Sequence, residues 1–357
     1  MGAPLGPLSR AIASLANRES LTEDQAAEVF GVVMRGEAGL TQAAALLMGL
    51  RVKGETAAEV AGAARALREA MVRVSVAAEH LVDTAGTGGG AVGTFNISTG
   101  AALVAAGAGA TVAKHGNRSF TSLCGSADVF EALGVDIGLG AERAAQLLRV
   151  TRIAFLFAPN YHPAMRHIAP VRRELGVTTL MNLLGPLANP AQARRQVLGV
   201  ADRDRAPLVA AAAARLGALH VLVVNARIGM DEISPSGVTD VWEVRGSDIR
   251  QWTVDPAAHG LAVDDPAALS GGTPAENASR LTRLLTEASG EADRAGIAAL
   301  LLNAAAALYA SGVAASFAEG IERSRDAVRD GSAYRALEGL RRAAPRQDGQ
   351  GGASTSG

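Results

Sequence analysis

The sequence predicts an α/β protein in which a small all-helical domain is joined to a larger domain built on a central, mostly parallel sheet flanked by helices. Three observations predict it. Residues 8 to about 72 carry apolar positions at three- and four-residue spacing and show no strand-like alternation. From Leu81 onward short β-compatible runs alternate with helical stretches, the signature of a parallel sheet with crossover helices. Aromatic residues make up only 3% of the 357, so the core must be assembled from Ala, Val and Leu at close helix and strand spacing.

In the helical part, Thr22 with Gln25 three residues later fits a capping box. Thr41-Gln42 precedes an apolar run, and Gly36 and Gly54 sit near helix ends. The β-compatible runs are Leu81-Val82-Asp83, Ala110 to Ala113, Arg152 to Leu156 and His220 to Val224. Residues 160–190 form a Pro-punctuated helical stretch that packs back on the first helices. Val241 to Val244 and Gln251 to Val254 read as an antiparallel pair, followed by helices to about 342. The domains are therefore 1–72 helical, with 160–190 packed on it, then 73–159 and 191–342 as the α/β unit. Residues 343–357, rich in Gly, Ser and Gln, are expected to be a disordered tail.

A net charge of -1 argues against a nucleic-acid or anionic-membrane binder, and a single Cys excludes an intrachain disulfide framework. The N-terminal residues lack the pattern of an export signal, so the expected address is cytoplasmic. The apolar stretch from Ala295 to Phe317, interrupted by Asn303, reads as a buried helix and not a membrane span. Only Lys53 and Lys114 are lysines among the 34 basic residues, which makes each a position to ask about. Lys53, at a helix end, reads as a capping or surface residue.

Four constellations can carry chemistry. Asp83 to Gly90 is a Gly-rich turn after a strand, leading through Thr94-Phe95-Asn96-Ile97-Ser98-Thr99 into an Ala-rich helix. Glycines admit an anion close to backbone, and hydroxyls and amides at a helix N-terminus donate to phosphate oxygens. The spacing is neither a dinucleotide fingerprint nor a P-loop. Second, Lys114-His115-Gly116-Asn117-Arg118 follows a strand, where ligand sites gather in open sheets, and a compact ammonium suits phosphate. Third, Asp231-Glu232 follows a strand and offers the oxygen ligands that Mg²⁺ shares with substrate phosphates. Fourth, Tyr161 and His162 precede Arg172, a residue type that clamps a carboxylate through two parallel hydrogen bonds. Cys124 has no nucleophile or metal partner at a useful spacing and reads as a small buried residue.

Taken together, these segments resemble the anthranilate phosphoribosyltransferase family from about residue 8 to about 340. The carriers are GTGG and TFNIST within 86–99, KHGNR at 114–118, GSADVFEALGV at 125–135, FAPNYHPAM and PVRRELG within 157–176, and NLLGPLANP at 182–190. GMDEIS at 229–234, GGTPAENA at 271–278 and LLNAAAALYASG at 301–312 complete the set.

The resemblance implies a nucleoside-phosphorylase-like fold, a homodimer, and transfer of phosphoribose from phosphoribosyl pyrophosphate to the anthranilate amine in tryptophan biosynthesis. It implies phosphoribosyl pyrophosphate contacts from Gly86, Gly89, Gly90, Thr94, Asn96, Ile97, Ser98, Thr99, Lys114, His115, Gly116, Asn117, Arg118, Ser122 and Ser126. Mg²⁺ would be held by Ser98, Asp231 and Glu232. Anthranilate would be held by Gly86, His115, Asn117, Tyr161 and Arg172, with Lys114, Asn117 and Arg172 carrying catalysis. The expected partners are these two small molecules, with no nucleic acid and no membrane.

The chemistry agrees: expelling pyrophosphate needs charge stabilisation more than a nucleophile, and an aromatic amine is already neutral at pH 7. A pyrimidine nucleoside phosphorylase shares the fold but leaves PVRRELG unexplained. A paralogue with an altered acceptor is the other alternative. Two departures stand out. Gly90 replaces the Asp usual after GTGG, and Asn225-Ala226-Arg227-Ile228 replaces the usual lead-in to the acidic pair. Thr121 keeps the hydroxyl of the usual Ser.

Overall fold

The computed structural model describes residues 6–119, 123–286 and 291–346. Four helices come first: α1 (Pro7–Ala16), α2 (Glu23–Met34), α3 (Leu40–Lys53) and α4 (Ala57–Ala70). Thr22 and Gln25 close the expected capping box on α2, and Thr56 with Glu59 forms a second on α4. Lys53 is not on the surface. Its side chain is 5% exposed, and Nζ donates to Glu59 Oε2 at 3.0 Å and to the Gly54 carbonyl at 2.6 Å. Glu59 is fully buried and also accepts from the Leu21 amide, so one ion pair ties the starts of α2 and α4 to the end of α3.

The α/β part runs β1 (Leu81–Gly86), α5 (Ile97–Gly107), β2 (Thr111–Gly116), α6 (Ser126–Ala132), α7 (Ala141–Thr151) and β3 (Ile153–Phe157). Next come α8 (Ala158–Tyr161), α9 (Ala169–Leu175), α10 (Met181–Leu187), β4 (Arg195–Gly199), α11 (Ala206–Arg215) and β5 (His220–Ala226). The chain ends with β6 (Thr239–Arg245), β7 (Asp248–Val254), α12 (Pro274–Thr286), α13 (Arg294–Ser311), α14 (Phe317–Arg329) and α15 (Ser332–Ala343).

The seven strands lie in the order β3-β2-β1-β4-β5-β6-β7. The first five are parallel, and β6 and β7 are added antiparallel at one edge. The hairpin expected from the two Trp-containing runs is β6–β7. Strand β4, central in the sheet, went unread, because Arg195-Gln196 at its start and Gly199 at its end leave only the two apolar residues Val197 and Leu198 between them.

Two apolar cores cover the two faces of the sheet. One packs α5 against β1, β2 and β3 and α13 against β1, β4 and β5, with α14 covering α5 and α13. The other joins α1–α4 to residues 164–188, to α11, and to Val221, Val223 and Trp242 on the opposite sheet face. Within 160–190, Ala164, Ile168, Val171, Leu180 and Leu184 share this core with the first four helices. The Val72 amide donates to the Tyr161 carbonyl and the Val74 amide to that of Pro190, which ties the chain crossings together.

The apolar stretch 295–317 is not one helix. Helix α13 stops at Gly312, whose φ of +83° suits glycine, and 83% of the helix is buried within the protein, as a core helix should be. Order also extends past 342: α15 reaches Ala343, and Pro345 bridges to Val135. The rest of the expected tail, 347–357, lies outside the described residues.

Candidate active site

The strand order reverses between β1 and β4, and an open α/β sheet binds ligands beyond the carboxyl ends of its strands at such a point. Here the two strands end in register on Gly86 and Gly199. Both must be glycine because Asp231 crosses over them. A Cβ on Gly86 would stand 2.5 Å from Asp231 Oδ2, and one on Gly199 would overlap the Asp231 carbonyl.

Beyond Gly86 the loop turns on Gly88 and Gly89, with φ of +66° and +80°. The Gly88 amide donates to Asp231 Oδ2 at 2.9 Å, and the Ala91 amide to the Gly229 carbonyl at 2.8 Å. Further along, Thr94 Oγ donates to Glu232 Oε1 at 3.3 Å. The Gly-rich loop and the acidic turn therefore form one unit, although well over a hundred residues of sequence lie between them.

Lys114 lies beneath this unit, 2% exposed, with Nζ donating to the Thr84 carbonyl at 2.6 Å and to Ser98 Oγ at 3.2 Å. Burial pulls its pKa down to about 8, against the attraction of Asp83 and Glu232. Burial pushes Glu232 the other way, up to about 8, with the Asp231 charge adding to the effect, and burial raises Asp231 as well. Two adjacent hard oxygen donors that resist ionising while apo match a divalent cation such as Mg²⁺. Among the described residues no group of three or more His, Cys, Asp or Glu side chains gathers, so such an ion would complete its shell from substrate and water.

Helix α5 begins here. Ser98 Oγ sits on Lys114, and Thr99 Oγ is buried with no partner among the described residues. Asn96 is not free for a ligand: its Nδ2 donates to the Cys124 carbonyl, and its Oδ1 accepts from Asn277 Nδ2 at 3.0 Å and from Cys124 Sγ. The Ile97 side chain is fully buried in the core, so only its backbone can face a ligand. Gly116 is held to glycine by Ser126 Oγ, which a Cβ would overlap, and that hydroxyl donates to the Asn117 carbonyl.

Other expectations fare differently. Arg118 does not offer its guanidinium to phosphate: Nη1 meets Asp128 and Glu131 at 2.6 Å each, on and at the end of the adjacent turn of α6, and the group lies over the Phe157 ring. Tyr161 does not wall an acceptor pocket either. It is 1% exposed in the sheet-side core and donates its OH to the Leu139 carbonyl at 2.9 Å. Asn117 is exposed, with Oδ1 accepting from the Arg118 amide. Ser122 and Thr121 lie outside the described residues.

Arg172, on α9, is half-buried, and no hydrogen bond or ion pair to its guanidinium is formed among the described residues, so burial lowers its pKa. His115 and His162 are each 5% exposed, with ring centroids 5.0 Å apart, and among the described residues His115 Nε2 has no hydrogen-bond partner. Burial pulls His115 down to about 3 and His162 to about 4, so both rings are neutral.

Sequence reading missed Gly199, which carries no local signal, and gave no task to Asn277 or Asn303, although both sit inside motifs it quoted.

This site, on a helical layer plus a switch-point sheet, has the form of a glycosyl transferase. The family model described as "Glycosyl transferase family, helical bundle domain" matches residues 9–71, and the one described as "Glycosyl transferase family, a/b domain" matches 78–334. The chain is 48% identical over 332 residues to the anthranilate phosphoribosyltransferase of Herpetosiphon aurantiacus, covering 92% of this chain and 96% of the relative. It superposes on the crystal structure of anthranilate phosphoribosyltransferase from Thermus thermophilus with a TM-score of 0.87 at 43% identity, covering 93% of this chain and 99% of that one. For the Saccharomyces cerevisiae enzyme in complex with PRPP and Mg, the TM-score is 0.86 at 28% identity, with 94% and 97% covered. The chain belongs to the anthranilate phosphoribosyltransferase family.

Proposed function

We propose that this chain transfers the phosphoribosyl group of 5-phosphoribosyl 1-pyrophosphate to the amine of anthranilate, at the β1/β4 switch point and with Mg²⁺. The observation that carries this reading is the convergence there of a Gly-rich loop, a buried lysine and two adjacent carboxylates. The anthranilate nitrogen lone pair forms the new bond to the anomeric carbon as the bond to pyrophosphate breaks. The electron pair leaves with the pyrophosphate, and the amine then sheds a proton to water.

Each residue has a task in that account. Backbone amides at the start of α5 and in the 86–90 loop receive phosphate oxygens. Lys114 holds Ser98 in place and supplies positive charge under the cradle, so its contribution is electrostatic support from below and not a direct reach into solvent. Asp231 and Glu232 would hold Mg²⁺, which when bound neutralises charge on the leaving pyrophosphate. Arg172 would take the ortho carboxylate and so orient the amine, and the neutral His115–His162 pair, along with Asn117, would face the ring.

We further propose a homodimer in the cytoplasm. Helix α3 turns Ala45, Met48 and Val52 outward along one line, with Val52 76% exposed, an apolar stripe that a second copy would cover. Light scattering on the purified protein, with Val52→Glu and Ala45→Glu as dissociating variants, checks this.

The test of function mixes protein, anthranilate, phosphoribosyl pyrophosphate and Mg²⁺ and follows the loss of anthranilate fluorescence. Consumption that stops with EDTA and is crippled by Arg172→Ala supports the assignment. Folded protein that consumes no anthranilate refutes it.

A further inference from the structure

The acidic pair projects from the turn between β5 and β6, and two adjacent carboxyls keep one direction only if the backbone beneath them is fixed. Before the pair, the Ala226 amide donates to the Met230 carbonyl at 3.0 Å. After it, the Ser234 amide donates to Thr239 Oγ at 3.1 Å. Between these points Ile233, the residue next to Glu232, is held at both its N–H and its C=O by a single side chain. Asn303 Oδ1 accepts from the Ile233 amide at 3.0 Å, and Nδ2 donates to the Ile233 carbonyl at 2.8 Å.

That side chain comes from the middle of α13, where its neighbours are almost all Ala and Leu and where it is itself 5% exposed. A buried primary amide is costly unless its donors and acceptor are met. Here they are met: the second Nδ2 proton goes to the Ala299 carbonyl one turn back, at 2.9 Å, which also fixes the rotamer. The Asn303 amide therefore engages the Ile233 backbone as a neighbouring strand residue would, and it transmits the placement of a rigid core helix to the acidic turn.

We propose that Asn303 is a positioning residue for the metal-holding pair: through Ile233 it sets the direction in which Asp231 and Glu232 point. The proposal rests on the reading that these two carboxylates hold Mg²⁺. Leu offers neither bond. Asp keeps the acceptor for the Ile233 amide but sets a carboxylate against the Ile233 and Ala299 carbonyls.

The test titrates Mn²⁺, as a spectroscopic substitute for Mg²⁺, into the full-length protein with phosphoribosyl pyrophosphate, reading bound Mn²⁺ by electron paramagnetic resonance. Asn303→Leu is expected to weaken Mn²⁺ binding by about 10- to 100-fold, the range seen when groups that orient metal ligands are removed. Half-saturating Mg²⁺ in the assay should rise by a similar factor while the anthranilate KM stays near its wild-type value. Leu302→Ala, a fully buried neighbour on the same helix, controls for lost stability and should leave Mn²⁺ binding unchanged. If Asn303→Leu does not fold, Asn303→Asp takes its place, with the same direction of change expected. Wild-type Mn²⁺ affinity in a folded Asn303 variant, or an equal loss in Leu302→Ala, overturns the proposal. Glu232→Gln separates the underlying reading: unchanged Mn²⁺ binding in that variant overturns the metal assignment itself.

Discussion

Gly90 and Gly229 face one another so closely that a Cβ on Gly90 would stand 2.8 Å from the Gly229 carbonyl oxygen and 3.6 Å from Asp231 Oδ1. Gly229 in turn has a φ of +90° and would set its own Cβ 3.0 Å from that of Ala91. Gly90 is thus packed directly on the backbone that leads into the acidic pair. A side chain at 90 has to push the acidic turn away. Gly90→Asp is expected to cost about 1–3 kcal/mol in overpacking, to lower the melting temperature, and to raise half-saturating Mg²⁺. Steady-state kinetics showing a gain in kcat/KM would contradict this.

Arg172 is a half-buried cation with no partner among the described residues, so its removal separates binding from stability. Losing a charge-assisted carboxylate contact of roughly 1.5–3 kcal/mol should raise the anthranilate KM about 10- to 150-fold in Arg172→Ala. The KM for phosphoribosyl pyrophosphate should hardly move. Thermal melts without ligand should show the variant at least as stable as the wild type, because an unpaired charge has left a partly buried place.

Glu232 is pushed up to about 8 by burial and by Asp231, so it is protonated in the apo protein at neutral pH and must lose that proton to accept a metal. Half-saturating Mg²⁺ is therefore expected to fall as pH rises through about 8. Calorimetry in two buffers of different ionisation enthalpy should find proton release on metal binding at pH 7 and much less at pH 9. Glu232→Gln should lose that pH dependence.

Lys114 titrates in the opposite sense. Its folded pKa of about 8 lies below the ordinary 10.5, so the unfolded chain binds the extra proton between those values. Stability should rise as pH climbs from about 8 to 10.5, by up to about 3 kcal/mol from this group. Chemical denaturation at a series of pH values tests this, and Lys114→Met should lack the rise. Activity should move the other way, falling as the ammonium is lost.

Arg118 is committed to Asp128 and Glu131, and its side chain is about half exposed. Arg118→Ala is accordingly expected to leave the KM for phosphoribosyl pyrophosphate almost unchanged, and to cost no more than about 1 kcal/mol in stability. A large rise in that KM would show that the guanidinium leaves α6 when substrate binds.

What could be read from the chain alone was whatever its local pattern encodes. The capping box at Thr22, the β6–β7 hairpin, the Gly-rich turn before α5 and the Asp231–Glu232 pair all announce themselves within a few residues. What escaped depends on contacts between distant segments. Gly199 is one glycine among 41 until Asp231 is seen lying across it. Tyr161 sits amid family motif residues, but only the fold shows its hydroxyl turned to Leu139. Lys53 reads as a capping or surface residue; it does donate to the Gly54 carbonyl at the helix end, but nothing nearby in the chain reveals that Glu59, six residues on, folds over it and buries it.

The two lysines have a consequence for handling this protein. With one 2% exposed under the phosphate cradle and the other pinned inside the helical layer, the chain presents no accessible ε-amine. Reagents that seek such amines, such as succinimide-ester dyes, glutaraldehyde and lysine acetyltransferases, have no folded target there. Attachment to supports or labels must go through other groups, and any lysine that does react reports that the surrounding structure has opened.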